Sequence, residues 1–456
     1  MNRNIRNLIV SATSLITKGD GRSVKVKKNI LGLFLIKGGS IAISLILVPL
    51  TIHYINPSRY GIWLTLSSII VWFSFFDIGF GHGLRNKFAD ALARGKEEEA
   101  KIYVSTTYAA LAVIVTGILL LFLVVNPFLN WAVILNAPPE LAEELSILAL
   151  IVFVFFCIQF VLQLLITVLT ANHEPAKGTL LATLGNLLAL LIIFLLTKTT
   201  SGNLILLGLS LSVSPVIILA LATLWFYRKS YRKYAPSIKY VRKEYIQELM
   251  GLGWQFFVIN ITVLVMLNTD NIIITQVLGP EKVTTFNVTH KLFSVVSMIF
   301  FLIATPLWSA YTDAYAKQDF RWIKNTLQMT RKIWLVLLVC TIIVLLLSPV
   351  LFKVWLGDSV QVPFALSIAM STYAIAYVWQ TLHTFLLNGI GKIRLQLYLA
   401  VFFSLIHIPL AIYLGKHFGL VGITLLGTFI FLVTGAVYAV QIHKVLNHTA
   451  SNIWNA

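Results

Sequence analysis

The sequence predicts an all-α polytopic membrane protein, with twelve transmembrane helices in two six-helix lobes related by a pseudo-two-fold axis along the membrane normal. Three observations predict it. Of the 456 residues, 58% are hydrophobic and 11% charged, and the mean hydropathy is +0.87. A soluble domain needs about 25% charged residues to cover its globule with polar surface, so this chain requires lipid as its solvent. Lys and Arg gather on alternate loops, and the two halves of the chain share motifs at a nearly constant offset.

A hydrocarbon core about 30 Å thick takes roughly 20 apolar residues per helix. By that rule the spans fall near 29–54, 60–82, 102–125, 146–170, 178–197, 203–227, 250–278, 284–308, 331–352, 363–387, 396–415 and 420–442. Ahead of them, residues 1–28 form a basic segment. Within it Ile5, Leu8, Ile9, Ala12 and Ile16 fall at helical spacing, which fits either a helix lying on an anionic membrane surface or a basic tail. The six spans of 29–227 make the first lobe, 228–249 the linker, 250–443 the second lobe and 444–456 the tail. Pro49, Pro215, Pro306 and Pro409 interrupt spans and are positioned to kink them. With the N-terminus cytoplasmic, 28 Lys and Arg fall on the inner side and 5 on the outer, leaving Lys37 and Lys291 within spans. That asymmetry supports an even number of spans and places both termini in the cytoplasm.

The repeat is legible in three places. Pro57 and Pro280, in the first outer turn of each half, lie 223 residues apart, as do FADALAR (Phe88–Arg94) and YTDAYAK (Tyr311–Lys317). Asn126-Pro-Phe-Leu129 matches Ser348-Pro-Val-Leu351 at an offset of 222. Six spans per half carry both halves into the membrane in the same sense, as in transporters whose two bundles rock about a central site.

Charges inside spans carry the functional signal, since each costs at least about 2.5–3.5 kcal/mol at mid-bilayer and usually faces a cavity or a partner. Asp270 and Lys291 are equidistant from the turn at Gly279–Lys282, and Lys37 and Asp77 from Pro57, so each couple falls at similar depth in its hairpin. Two readings follow: ion pairs that set hairpin register, or lysines that meet an anionic substrate while the carboxylates hold them. Lys291 shares its face with Asn287 and Ser294, and Lys37 with Ser40 and Ser44. Asn260 and Asn271 share a face of the seventh span with Asn268 nearby, a lining suited to hydroxyl-rich ligands. His383 and His407 read as hydrogen-bonded packing residues.

The two cysteines, Cys157 and Cys340, stand in apolar runs without metal-ligand spacing. No catalytic set, metal-binding cluster or nucleotide cassette is expected, and the excess of positive charge follows from orientation rather than from a nucleic-acid partner. Gly79-Phe-Gly81-His-Gly83 lacks a preceding strand and a following lysine, and reads as a close-packed helix end rather than a phosphate loop.

Asp77-Ile-Gly-Phe-Gly-His-Gly-Leu-Arg-Asn86 resembles the acidic, glycine-rich signature of polysaccharide flippases. So do Asp270-Asn-Ile-Ile-Ile-Thr-Gln-Val-Leu-Gly-Pro280 with Phe286-Asn-Val-Thr-His-Lys-Leu292, and the stretch from Pro409 through Gly415, Gly419 and Gly422. Together they resemble the Wzx-type O-antigen and capsular repeat-unit exporters of the MOP superfamily, relatives of the MATE exporters. The resemblance implies MATE-like lobes around a cavity in the inner membrane of a bacterium. The implied function is transport of a polyprenyl-pyrophosphate-linked oligosaccharide by alternating access, without an enzymatic step or a cofactor. Lipids and polysaccharide polymerase machinery are the implied partners. Lys291 would be the main cationic lining residue with Asp270 as its partner, and Lys37 and Asp77 would guard the cytoplasmic mouth. Relatives are often richer in intramembrane Arg, so a largely neutral glycan is expected. A lipid-linked peptidoglycan precursor flippase and a cation-coupled multidrug exporter are the alternatives; Lys37 in the first span argues against the latter.

Overall fold

The computed structural model describes residues 21–77, 79–172, 174–250 and 268–455, so Asn260 and the segment 5–16 lie outside the described residues. The described residues form helices, short 3-10 turns and loops, without a strand. Helix α1 is Gly21–Ile55. Contacts then group the chain into two compact units, one of residues 1–50, 76–125 and 150–254, the other of 51–75, 126–149 and 255–456.

In the first unit, α3 (Phe80–Ala93) packs against α4 (Glu97–Val125). Together with α7 (Leu164–Ala171), they bury Phe80, Leu84, Phe88, Val104, Leu165 and Val168 in one core. Helices α8 (Pro175–Thr199) and α9 (Leu204–Arg228) form a hairpin beside them. Hydroxyls inside these apolar rods satisfy themselves locally: Ser214 donates to Ser210 O at 2.6 Å and Thr183 to Thr179 O at 2.8 Å. The linker expected over 228–249 is ordered as two 3-10 turns and the short helix α10 (Glu244–Met250). It is tied to α3 and α4: Glu248 accepts from Lys87 at 3.1 Å and from the Tyr103 hydroxyl at 2.8 Å, and the Arg242 amide donates to Thr106 Oγ1. These two donors, the tyrosine hydroxyl first, hold the Glu248 carboxyl below the usual carboxylate range.

The second unit contains α2 (Pro57–Val71), the one-turn α5 (Trp131–Ile134) and a helix over 268–278, called α11. These are followed by α12 (Pro280–Ala316), α13 (Phe320–Leu356), α14 (Phe364–Ile390) and α15 (Arg394–Leu446). Helix α6 (Ala142–Leu162) crosses the boundary between the units. The 53 residues of α15 are two rods, because Gly419 takes φ 59 and ψ −146, a conformation open to glycine but strained for other residues. The break falls between the eleventh and twelfth expected spans.

Eight helices among the described residues are long and apolar enough to cross a membrane. Their outer faces leave large apolar side chains uncovered, such as Val113 on α4 and Val354 on α13 at 74% and 83% exposure. That is the surface of a protein whose solvent is hydrocarbon.

The motif repeat has a backbone counterpart. Asn56 and Gly279 both precede an N1 proline, with φ 73, ψ 164 and φ 93, ψ 159. Gly95 and Gln318 end their helices at φ 71 and φ 58, each directly after the basic member of an Asp90–Arg94 or Asp313–Lys317 pair that closes across one helical turn. Within the second unit the two proline turns also meet. Thr284 Oγ1 donates to Pro57 O at 2.6 Å, while a Cβ on Gly61 would lie 1.7 Å from Pro280 O. Only glycine permits that approach.

Candidate functional site

The site develops inside the second unit, around a cavity of about 450 Å³ lined from α11, α12 and α14. Helix α11 offers Asn268, Asp270 and Asn271; α12 offers Asn287, His290, Ser294 and Ser297; and α14 offers Tyr373 and Tyr377. The periodicity of α12 explains its share, since residues three and four apart stand on one face. Polar side chains on that face would be costly against lipid, and here they border a hollow.

Asp270 is 8% exposed, and its Oδ1 lies 2.8 Å from Nε2 of His407, itself 1% exposed on α15. The imidazole N–H donates to the carboxylate, which gives a buried acid the partner it requires. The other ring nitrogen of His407 has no hydrogen-bond partner among the described residues. Beside the pair runs a relay of amides. Asn287 Nδ2 donates to Asn271 Oδ1, Asn271 Nδ2 donates to Ser68 Oγ, both at 2.8 Å, and Ser68 donates to Leu64 O. The amides are thereby held in fixed orientations, as a pre-formed polar lining needs.

The expected pairing of Asp270 with Lys291 is corrected by this geometry. Equal distance from the proline turn set equal depth, but depth leaves the direction around the helix open. Neighbouring residues on a helix point about 100° apart, and it is His290 that faces the cavity. Lys291 is half-buried and makes no ion pair among the described residues. Its carbonyl accepts from Ser294, which in turn accepts from Ser297.

Lys37 and Asp77, both in the first unit, are likewise not joined by an ion pair among the described residues. Asp77 instead accepts the Gly81 amide with both carboxylate oxygens, at 2.9 and 3.0 Å. It thereby caps the first turn of α3, where free N–H groups favour an anion. Gly79, at φ 85, sits at the N-cap position of that helix, so the glycine cluster is a helix start.

Of the expected lining residues, Asn287, Ser294 and Asn271 come together at the cavity with Asp270; Lys291, Lys37 and Asp77 are not among its lining residues, and Asn260 lies outside the described residues. Sequence reasoning missed His407 as the partner of Asp270, because 137 residues separate them. It also missed the aromatic wall of Phe286, Phe301, Tyr373 and Tyr377. The four-residue spacing of Tyr373 and Tyr377 was the available signal, hidden in an apolar background.

Comparison with known proteins fits this picture. The family model described as polysaccharide biosynthesis protein matches residues 26–311, and the MatE model matches 256–413. The chain is 21% identical over 399 residues to a putative O-antigen export protein of Yersinia pseudotuberculosis, covering 84% of this chain and 88% of that one. It is 23% identical over 347 residues to a putative O-antigen transporter of Salmonella typhimurium, covering 75% and 79%. Among solved structures it is similar to a multidrug resistance MATE family transporter of the MOP superfamily in its inward-facing conformation, at TM-score 0.75 and 15% identity over 90% of this chain and 96% of that one. An outward-facing MATE structure gives TM-score 0.66 at 13% identity, with 92% and 96% covered. With a family model matching well over half its length, this chain belongs to the polysaccharide biosynthesis protein family.

Proposed function

We propose that the chain moves a polyprenyl-pyrophosphate-linked oligosaccharide from the inner to the outer leaflet of a bacterial cytoplasmic membrane, by alternating access, for O-antigen or capsule assembly. The observation that carries this reading is the cavity whose amides, hydroxyls and buried Asp270–His407 pair stand within a unit of apolar helices. A sugar head cannot cross hydrocarbon unaided, because each hydroxyl would lose its water without replacement. Fixed amide and hydroxyl groups supply that replacement while the prenyl tail stays in the bilayer. The matched helix ends at the 223-residue offset support two equivalent lobes, and the Lys and Arg asymmetry supports cytoplasmic termini. Release on the outer side would hand the repeat unit to polymerase machinery.

Lys291 and Lys37, half-buried and without an ion pair among the described residues, are assigned as counter-charges for the pyrophosphate. Asp77 holds the start of α3 at the cytoplasmic mouth. Deletion of the gene should abolish surface glycan without loss of viability. A Lys291→Ala variant should then restore less glycan than Lys291→Arg at equal membrane abundance. Full surface glycan in the deletion strain would overturn the reading, and loss of viability on deletion would point to a peptidoglycan precursor instead.

A further inference from the structure

The second unit carries a run of aromatic rings along α12 and α14, some in its core and some at the cavity. Helix α12 buries Phe293 and Phe300 almost completely, at 0% and 1% exposure, yet leaves Phe301 half-buried and Trp308 40% exposed. His290, Phe301, Tyr373 and Tyr377 border the cavity.

The rings follow one another at contact distance. Phe286 and His290 are stacked, with centroids 6.5 Å apart and planes 9° apart, and His290 meets Tyr373 at 6.0 Å. Phe431 bridges Tyr373 and Tyr377 at 5.2 and 5.0 Å, and Tyr377 meets Phe301 at 6.0 Å. Phe385 then joins Phe301 to Trp308, each at 5.7 Å. From Phe286 to Trp308 the α12 axis rises about 33 Å at 1.5 Å per residue, close to the thickness of a hydrocarbon core. Five rings of this ladder, Phe286, His290, Phe301, Tyr373 and Tyr377, line the cavity beside Asn268, Asp270, Asn287, Ser294 and Ser297, and Phe431 and Phe385 back them from behind.

We propose that the ladder is a sugar-stacking track, on which the apolar faces of successive pyranose rings lie against the aromatic rings while their equatorial hydroxyls bond to the amides, hydroxyls and Asp270 alongside. A pyranose offers this combination: C–H groups on its face, hydroxyls on its rim. Lipid tails would have no use for the neighbouring amides, and a phosphate would have no use for the rings. The track is tolerant of glycan sequence, because each hexose presents such a face, and it favours neutral over acidic sugars through the carboxylate of Asp270. This rests on the proposed flippase reading and assigns the glycan to the lining of this cavity, as distinct from the pyrophosphate, which is assigned to lysines outside that lining.

The test uses the full-length protein in a strain deleted for its gene and in proteoliposomes. Phe301→Leu/Tyr377→Leu removes two rings at similar volume, and Phe301→Tyr/Tyr377→Phe keeps them. At roughly tenfold per 1.4 kcal/mol, loss of two stacking contacts should cut export of the host's full repeat unit about tenfold, while the ring-keeping pair stays within about twofold. In proteoliposomes the leucine pair should slow transfer of polyprenyl pyrophosphate carrying the full repeat unit more than transfer of the same lipid carrying one hexose. Wild-type export by the leucine pair, or equal slowing of both head groups, overturns the track. A deletion strain that keeps its surface glycan would instead overturn the flippase reading itself.

Discussion

Replacing His407 by leucine should destabilise the second unit far more than replacing both members of the Asp270–His407 pair. The carboxylate is 8% exposed and its Oδ1 lies 2.8 Å from the imidazole, so removing the ring strands a buried acid. Breaking a buried pair from one side costs about 3–5 kcal/mol, whereas exchanging both partners for apolar groups of similar volume is often close to neutral. The His407→Leu variant should therefore lose several kcal/mol, and Asp270→Leu/His407→Leu should recover at least about 2 kcal/mol of it as coupling energy. For a unit of this size 1 kcal/mol moves the midpoint by about 2–4 °C, so the single variant should melt on the order of 10 °C lower. Intrinsic-fluorescence melts in nanodiscs at one fixed scan rate would measure it, the common rate being needed because membrane-protein unfolding is seldom reversible. Additive losses across Asp270→Leu, His407→Leu and the double variant would refute the reasoning, since additivity means the two groups do not depend on each other.

Two further outcomes follow from the packing. Gly61→Ala would bring a Cβ within 1.7 Å of Pro280 O, a backbone atom that cannot swing aside, so the junction of α2 with the start of α12 should part at a cost of about 1–3 kcal/mol. A cysteine at Lys282 should then react faster with an impermeant maleimide than in the parent, and an unchanged rate would show that the junction is already loose. Glu248 is held below the usual carboxylate range, so its contribution to linker docking is complete above about pH 4.3 and disappears as pH falls through its lowered value. With both partners partly exposed, the contribution is about 1 kcal/mol or less. Glu248→Gln should reproduce at neutral pH the faster proteolysis of residues 229–243 that acid produces in the parent; equal cleavage of both proteins at neutral pH would rule out this anchor.

Hydropathy and charge were enough to read the class of fold, because burial in lipid imposes the same demand along the whole chain. The proline turns and the Asp90 and Asp313 helices were legible as a repeat, since their backbone conformations depend on local sequence. The site was legible only in part. The depths of Asp270 and Lys291 could be counted from Gly279, but direction around α12 depends on tertiary packing, and that packing brings His290 to the cavity. His407 looked like an isolated core residue because its partner sits on a helix far away in sequence. Asp77 could have been read locally: a carboxylate four residues before Gly81, at a glycine-marked helix start, is a capping pattern. The aromatic ladder was hidden for another reason. In a chain with 29 Phe and 16 Tyr, ring spacing carries little information until the faces of α12 and α14 are known.

Transfer of a lipid-linked oligosaccharide across a sealed bilayer tests the central claim most directly. Purified protein in proteoliposomes, loaded with fluorescent polyprenyl-pyrophosphate-linked repeat unit, should expose the glycan on the opposite leaflet to an impermeant glycosidase faster than protein-free vesicles do. The Lys291→Ala variant should do so more slowly. Protein that is folded and correctly inserted, yet leaves the glycan as protected as in protein-free vesicles, would contradict the account.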